Sequence, residues 1–132
     1  MVALHKILLI DDDPDLVVAI KLVLGSGYQV ITASDGVFGI PIARAEKPDL
    51  IILDVIMPFE DGFTVAKQLK ADPVLSEIPI IILTSFSRRK GETYVSVAQG
   101  MELEAEDYIE KPVSPQELIQ KIERLLQERP IG

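Results

Sequence analysis

The sequence predicts an α/β domain built on a doubly wound, five-stranded parallel sheet with helices on both faces. Three observations carry this. Strand-like and helix-like segments alternate five times along the chain, the pattern of a sheet wound in both directions. The strand segments are largely apolar throughout rather than alternating, as in strands covered on both sides. The polar groups that stop these runs lie at their carboxyl ends, where open parallel sheets bind ligands. A length of 132 residues suits one unit, 1–132, with its motif-bearing part at about 6–127.

Composition narrows the class. Hydrophobic residues make up 48% of the chain and the mean hydropathy is +0.27, so the chain is globular rather than disordered. A net charge of −8 and a pI near 4.6 argue against general affinity for DNA, RNA or anionic lipid. There is no cysteine, hence no disulfide framework and no thiolate metal site. The apolar run Ile7-Leu8-Leu9-Ile10 is too short for a signal segment or a membrane span and ends in three aspartates. The expectation is a soluble, cytoplasmic protein without a nucleic-acid or membrane partner.

The elements follow in order. Lys6 to Ile10 reads as a central strand. Asp13 suits an N-cap and Pro14 the first position of a helix, which carries Leu16, Val17, Ile20, Val23 and Leu24 and stops at Gly25. Tyr28 to Ala33 is β-rich. After Ser34-Asp35-Gly36 a helix should run to about Glu46, but Gly39 and Pro41 lie inside it. A proline that deep costs roughly 3 kcal/mol in an uninterrupted helix, so a late start, a kink or a distorted first half is expected. Leu50 to Leu53 is a wholly apolar strand that stops at Asp54 and breaks at Pro58. Phe59-Glu60-Asp61-Gly62 reads as a loop. Phe63, Val65, Ala66 and Leu69 mark a short helix ending near Asp72-Pro73. Ile78 to Leu83 is another apolar strand, ending in Thr84-Ser85. From Phe86 to Asp107 the pattern is weakest, with a loop-like Ser87–Gly91 and a helix at Tyr94–Gln99. Tyr108-Ile109-Glu110 is a short strand before Lys111-Pro112. Ser114-Pro115-Gln116-Glu117 is a capping box that opens a helix with Leu118, Ile119, Ile122, Leu125 and Leu126 on one face.

Strand ends at Asp11-Asp12, Asp54, Thr84 and Lys111 should converge on one edge of such a sheet. Each has a plain alternative: Asp11 to Asp13 as helix caps, Asp54 as a turn former, Lys111 as a solvated lysine. Carboxylates gathered in one cleft repel each other and raise the proton affinity of at least one. A hard divalent cation relieves this, and Mg²⁺ takes one or two carboxylates together with waters. A lysine opposite can offset a phosphoryl group, and a threonine hydroxyl can donate to its oxygen. An aspartate beside a metal is a competent nucleophile toward phosphorus.

The ordered set Asp11-Asp12, Leu53-Asp54-Val55-Ile56-Met57-Pro58 with Asp61-Gly62, Thr84-Ser85, and Asp107-Tyr108-Ile109-Glu110-Lys111-Pro112 resembles the receiver domain of two-component response regulators. The resemblance covers about Lys6 to about Gln127. It implies the flavodoxin-like strand order 2-1-3-4-5. It also implies that Asp54 takes a phosphoryl group from a phosphohistidine on a sensor histidine kinase or histidine phosphotransfer protein. Asp11, Asp12, Asp54 and the Ile56 carbonyl would hold Mg²⁺. Thr84 and Lys111 would contact the phosphoryl oxygens, with Thr84 and Tyr108 as the switch toward an unidentified downstream protein. So read, the chain is a signalling switch and not an enzyme in the usual sense, although it assists its own phosphorylation.

The chain departs from the family pattern in three places. The stretch between Thr84 and Tyr108 is longer than usual, Gly39 and Pro41 interrupt a helix that is usually regular, and Ile56 and Phe86 are apolar where the family tunes phosphoryl loss. Those two are expected to hinder the attacking water and prolong the phosphorylated state. Two other classes compete. One is a phosphorylation-independent binding module, against which the intact Asp11, Asp12, Asp54, Thr84 and Lys111 set speaks. The other is an aspartate-nucleophile phosphatase, which needs a second acid where Ile56 stands. The sequence leaves no room for a DNA-binding helix-turn-helix, so the chain reads as a stand-alone receiver or a fragment of a larger regulator or hybrid kinase.

Overall fold

A computed structural model describes residues 4–54, 56–57, 60–84 and 105–127. Its five main strands are β1 (Lys6–Ile10), β2 (Gln29–Ala33), β3 (Leu50–Asp54), β4 (Ile80–Thr84) and β5 (Asp107–Glu110). All neighbours run parallel, in the order 2-1-3-4-5 anticipated above. The described helices are α1 (Pro14–Leu24), α2 (Gly36–Glu46), α3 (Gly62–Ala71) and α4 (Pro115–Gln127). Residues 85–104 lie outside the described residues, and with them the loop expected at Ser87–Gly91, the helix expected at Tyr94–Gln99 and Phe86.

The two-residue period of the strands divides the core. Ile7, Leu9, Leu50, Ile52, Ile81 and Leu83 meet Ile20 and Leu24 of α1 and Leu118 and Ile122 of α4. Leu8, Ile10, Ile51, Leu53, Ile80 and Ile82 meet Ala43 of α2 and Val65, Ala66 and Leu69 of α3. Every residue of β3 and β4 is buried, which is why these runs carry no polar face.

Local chemistry sets the helix ends. The Asp13 side chain accepts from the Asp15 and Leu16 amides at 3.0 and 3.4 Å, and Pro14 opens α1. Gly25, with φ of 55°, closes it and donates its N–H to the Lys21 carbonyl. Ser114 Oγ accepts from the Glu117 amide at 3.4 Å at the start of α4. Glu117 lies 3.8 Å from Lys121 one turn on.

Three elements differ from expectation by more than a residue at one end. Helix α2 does not start late: it begins at Gly36, capped by Asp35, whose side chain accepts from the Phe38 amide at 3.1 Å. Pro41 is tolerated inside it because Pro41 and Val37, whose carbonyl loses its helical donor, both lie on the exposed side. The stretch read as a loop after Pro58 instead pairs, Glu60–Asp61 lying antiparallel to Ile56–Met57. Strand β4 begins at Ile80 rather than Ile78, whose amide is taken by the Leu75 carbonyl in the preceding turn.

Gly39 is there for close approach. A Cβ at this position would lie 2.6 Å from Ile10 Cδ1 and 3.0 Å from Ile10 Cγ1, and Ile10 is fully buried. Overpacking of this kind costs about 1–3 kcal/mol, against about 1 kcal/mol gained from replacing a helical glycine by alanine. Gly39→Ala is therefore expected to lower stability by about 1 kcal/mol in urea unfolding. Adding Ile10→Val, which removes Cδ1, should make the pair less damaging than the sum of the single changes. A Gly39→Ala protein as stable as the parent would overturn this account.

Candidate functional site

Strands β1, β3 and β4 end side by side, so their last residues and the turns after them share one edge. The register places Ile10 beside Leu53 and Asp54 beside Leu83, one step before Thr84. The chain leaves β1 with the Asp11 amide donating to the Ala33 carbonyl at 3.0 Å, which holds the next residues at the sheet edge. This convergence is what the sequence led us to expect of Asp11, Asp54 and Thr84.

The three are also the buried polar residues of the described core, at 2%, 1% and 0% exposure. Asp12 is exposed, yet one oxygen from each of Asp11, Asp12 and Asp54 lies within 4.8 Å of the others. Lys111 reaches across from the end of β5, its Nζ donating to Asp54 Oδ2 at 2.9 Å. The Lys111 amide donates to the Thr84 carbonyl at 2.6 Å, so β5 delivers this lysine directly beside β4. The bond that follows, Lys111–Pro112, is cis.

The electrostatics follow from this crowding. Burial pushes the Asp11 carboxyl from its ordinary 3.8 up to about 7. The hydrogen bond from the Asp13 amide and the charge of Lys111 pull it back, while the Asp54 carboxylate pushes it further up. Asp11 Oδ1 takes the Asp13 amide at 2.9 Å; Asp11 Oδ2 and Thr84 Oγ1 are buried with no hydrogen-bond partner. Buried polar atoms without partners are costly and rare in native structures. Both residues lie at the carboxyl end of the sheet, where the three clustered carboxylates offer hard oxygen donors that could hold a divalent cation.

The other expected residues fall nearby but outside this contact set. Ile56 lies two residues past Asp54 in the short ribbon, opposite Asp61. Tyr108 pairs with Ile82, two rungs before Thr84, and packs half-buried against the core under α2 and α3. Burial and the Glu106 charge raise its phenol, against a lowering hydrogen bond with the Ala105 backbone. The sequence reading gave Asp13 only as a cap, whereas its backbone N–H also holds Asp11. Three consecutive aspartates carried that signal, since a first one folding back on the amide two residues on is a common turn habit of this side chain.

Comparison with known proteins agrees with the geometry. The response regulator receiver domain family matches residues 7–123. The alkaline phosphatase synthesis transcriptional regulatory protein PhoP of Bacillus subtilis is 42% identical over 128 residues, 96% of this chain and 50% of that protein. Protein PilH of Pseudomonas aeruginosa is 34% identical over 122 residues, 92% of this chain and 97% of PilH. The chain thus spans about half the length of PhoP and nearly all of PilH. Among solved structures, the receiver domain of a signal transduction histidine kinase from Syntrophus aciditrophicus superposes with a TM-score of 0.85 at 32% identity, covering 97% of this chain and 94% of that one. The receiver domain of sensor histidine kinase PA1611 from Pseudomonas aeruginosa, described with magnesium in its active-site cleft, gives 0.82 at 28% identity, covering 95% and 99%. With strand order, buried acid cluster and family match in agreement, this chain belongs to the response regulator receiver domains, the phosphorylation-controlled switches of two-component signalling.

Proposed function

We propose that Asp54 is the phosphoryl acceptor and that Asp11, Asp12 and Asp54, with the Ile56 carbonyl, hold Mg²⁺ while it reacts. The observation that supports this best is the buried Asp54 carboxylate, held by Lys111 at 2.9 Å among two further aspartates and beside a buried threonine hydroxyl that lacks a partner. The donor set fits the ion: hard carboxylate oxygens, including the partnerless Asp11 Oδ2. Bound there, the ion supplies charge neutralisation for phosphoryl oxygens.

The chain's own groups do the rest. One Asp54 oxygen attacks the phosphorus of a phosphohistidine, and the bond from phosphorus to the imidazole nitrogen breaks. The imidazole leaves with the electron pair and takes a proton from solvent, and Asp54 keeps the phosphoryl group as an acyl phosphate. Lys111 holds Asp54 in place beforehand and then faces the incoming oxygens. Thr84 Oγ1 donates to one of them. Transfer of this kind needs positioning and charge neutralisation more than covalent help. The acyl phosphate carries about −2 where the carboxylate carried −1, so about one further negative charge, with three strong acceptor oxygens, appears at one sheet edge; Thr84 and Tyr108, on adjacent strands, would relay it.

The donor would be a sensor histidine kinase or a phosphotransfer protein, and the receiver unit would span about residues 6–127 of the 132 given. A net charge of −8 argues against nucleic-acid contact by this segment itself. One relative, named as the DNA-binding response regulator MtrA of Mycolicibacterium smegmatis, is about twice as long, the match covering 49% of it. No described helix is long and apolar enough to cross a membrane.

Incubation with a small acyl phosphate and Mg²⁺ should add the mass of one phosphoryl group to the intact protein, and Asp54→Asn should abolish the addition. An unmodified wild-type protein would leave a phosphorylation-independent binding module as the better reading.

Asp11 also gives a pH test. Its folded value of about 7 lies above the ordinary 3.8, so between them the native state holds a proton that the unfolded chain has lost. Its stabilising contribution is complete below the lower value and is lost as pH rises through about 7. The stabilisation conferred by Mg²⁺ should accordingly grow from pH 5 to pH 8, as roughly one proton is displaced. Asp11→Asn, which keeps an oxygen for the Asp13 amide, should stabilise the metal-free protein at pH 8 by roughly 1–3 kcal/mol and weaken its response to Mg²⁺. Thermal unfolding with and without the ion checks both; a pH-independent Mg²⁺ effect would contradict them.

A further inference from the structure

At the sheet edge opposite the acid pocket, Lys70 and Glu106 make a contact that the chemistry above leaves unused. The Lys70 side chain, 9% exposed, donates to Glu106 Oε1 and Oε2 at 2.9 and 3.0 Å and to the Ser76 and Ile78 carbonyls at 3.3 and 3.1 Å. The same Glu106 Oε1 accepts the Ile80 amide at 2.7 Å, and the Glu106 amide donates to the Ile80 carbonyl at 3.0 Å. Glu106 therefore closes a complete extra rung ahead of the Ile81–Asp107 pair, with a carboxylate standing in for a backbone carbonyl.

Strand β5 needs such a fix. It has four residues, follows the long stretch after Thr84, and buries Ile109 alone among them. Register is weakly specified where one face offers so little apolar pattern. Ladder bonds, including the one from the Lys111 amide to the Thr84 carbonyl, would be remade by any slipped strand. The Glu106 bond belongs to one residue. The ion pairs of Asp107 with Lys121 and Arg124 tie the strand to α4; Glu106 ties it to β4 itself. A two-residue slip keeps the faces but moves Lys111 by about 6–7 Å along the strand, far beyond its 2.9 Å contact with Asp54.

We propose that Lys70 and Glu106 are positioning residues for phosphoryl transfer: by locking β5 to β4 at one edge they set Lys111 against Asp54 at the other. This rests on Asp54 being the phosphoryl acceptor. The two groups touch neither the phosphoryl donor nor the cation site, whose three carboxylates come from the ends of β1 and β3.

The test uses the full chain with Glu106→Ala, Glu106→Gln and Lys70→Met, an acyl phosphate as donor, and two readouts: the initial rate of phosphorylation by intact mass, and Mg²⁺ affinity by calorimetry. Glu106→Ala and Lys70→Met should slow phosphorylation about tenfold or more while Mg²⁺ affinity stays within about twofold. Glu106→Gln, which keeps an oxygen for the Ile80 amide, should recover most of the rate. Should Glu106→Ala fail to fold, Lys70→Met, a side chain of similar length without the charge, carries the comparison. A parental rate in either variant overturns the proposal, as does a parallel loss of rate and Mg²⁺ affinity, which would mean general loosening. A wild-type chain that takes no phosphoryl group overturns the parent reading, and this one with it.

Discussion

The structure turns on the repulsion among three carboxylates held at the dry end of a parallel sheet, against which a single lysine is set. Asp11 and Asp54 are buried, Asp12 is close enough to share an ion with them, and the Lys111 ammonium pairs with Asp54. Burying charge this way opposes folding, so the stability to tolerate it has to come from elsewhere. It comes from β3 and β4, buried along their whole length, and from the two apolar layers that sandwich them. A cation or phosphoryl group bound there, as proposed, would relieve part of that cost.

Much of this is legible in the chain itself. The wholly apolar runs at Ile7–Ile10, Leu50–Leu53 and Ile80–Leu83 identify central strands because a parallel sheet covers both faces. Asp13-Pro14 and Ser114-Pro115 identify helix starts because capping is local chemistry. Asp11, Asp54, Thr84 and Lys111 stand out because each ends a strand, and the fold brings those ends together.

What the sequence did not reveal depends on tertiary surroundings. Pro41 argued for a broken α2, but its cost depends on whether the freed Val37 carbonyl faces water, and here the helix is exposed on that side. Gly39 reads as a helix weakness in sequence, but Ile10 presses against it in the fold. The Lys70–Glu106 pair is separated by 36 positions, so neither periodicity nor capping could announce it. The Glu60–Asp61 pairing is two residues long, below what any alternation can signal.

The hydrogen bond from the Asp13 amide to Asp11 has a consequence for ion selectivity. It engages Oδ1, leaving Oδ2 as the oxygen without a partner. A carboxylate anchored in this manner offers one oxygen rather than a two-oxygen grip. Calcium is large and takes six to eight ligands, often through two-toothed carboxylates, whereas a small octahedral ion accepts single oxygens and keeps its own waters. If the cluster holds a cation as proposed, the turn that starts the first helix would therefore also favour the smaller ion.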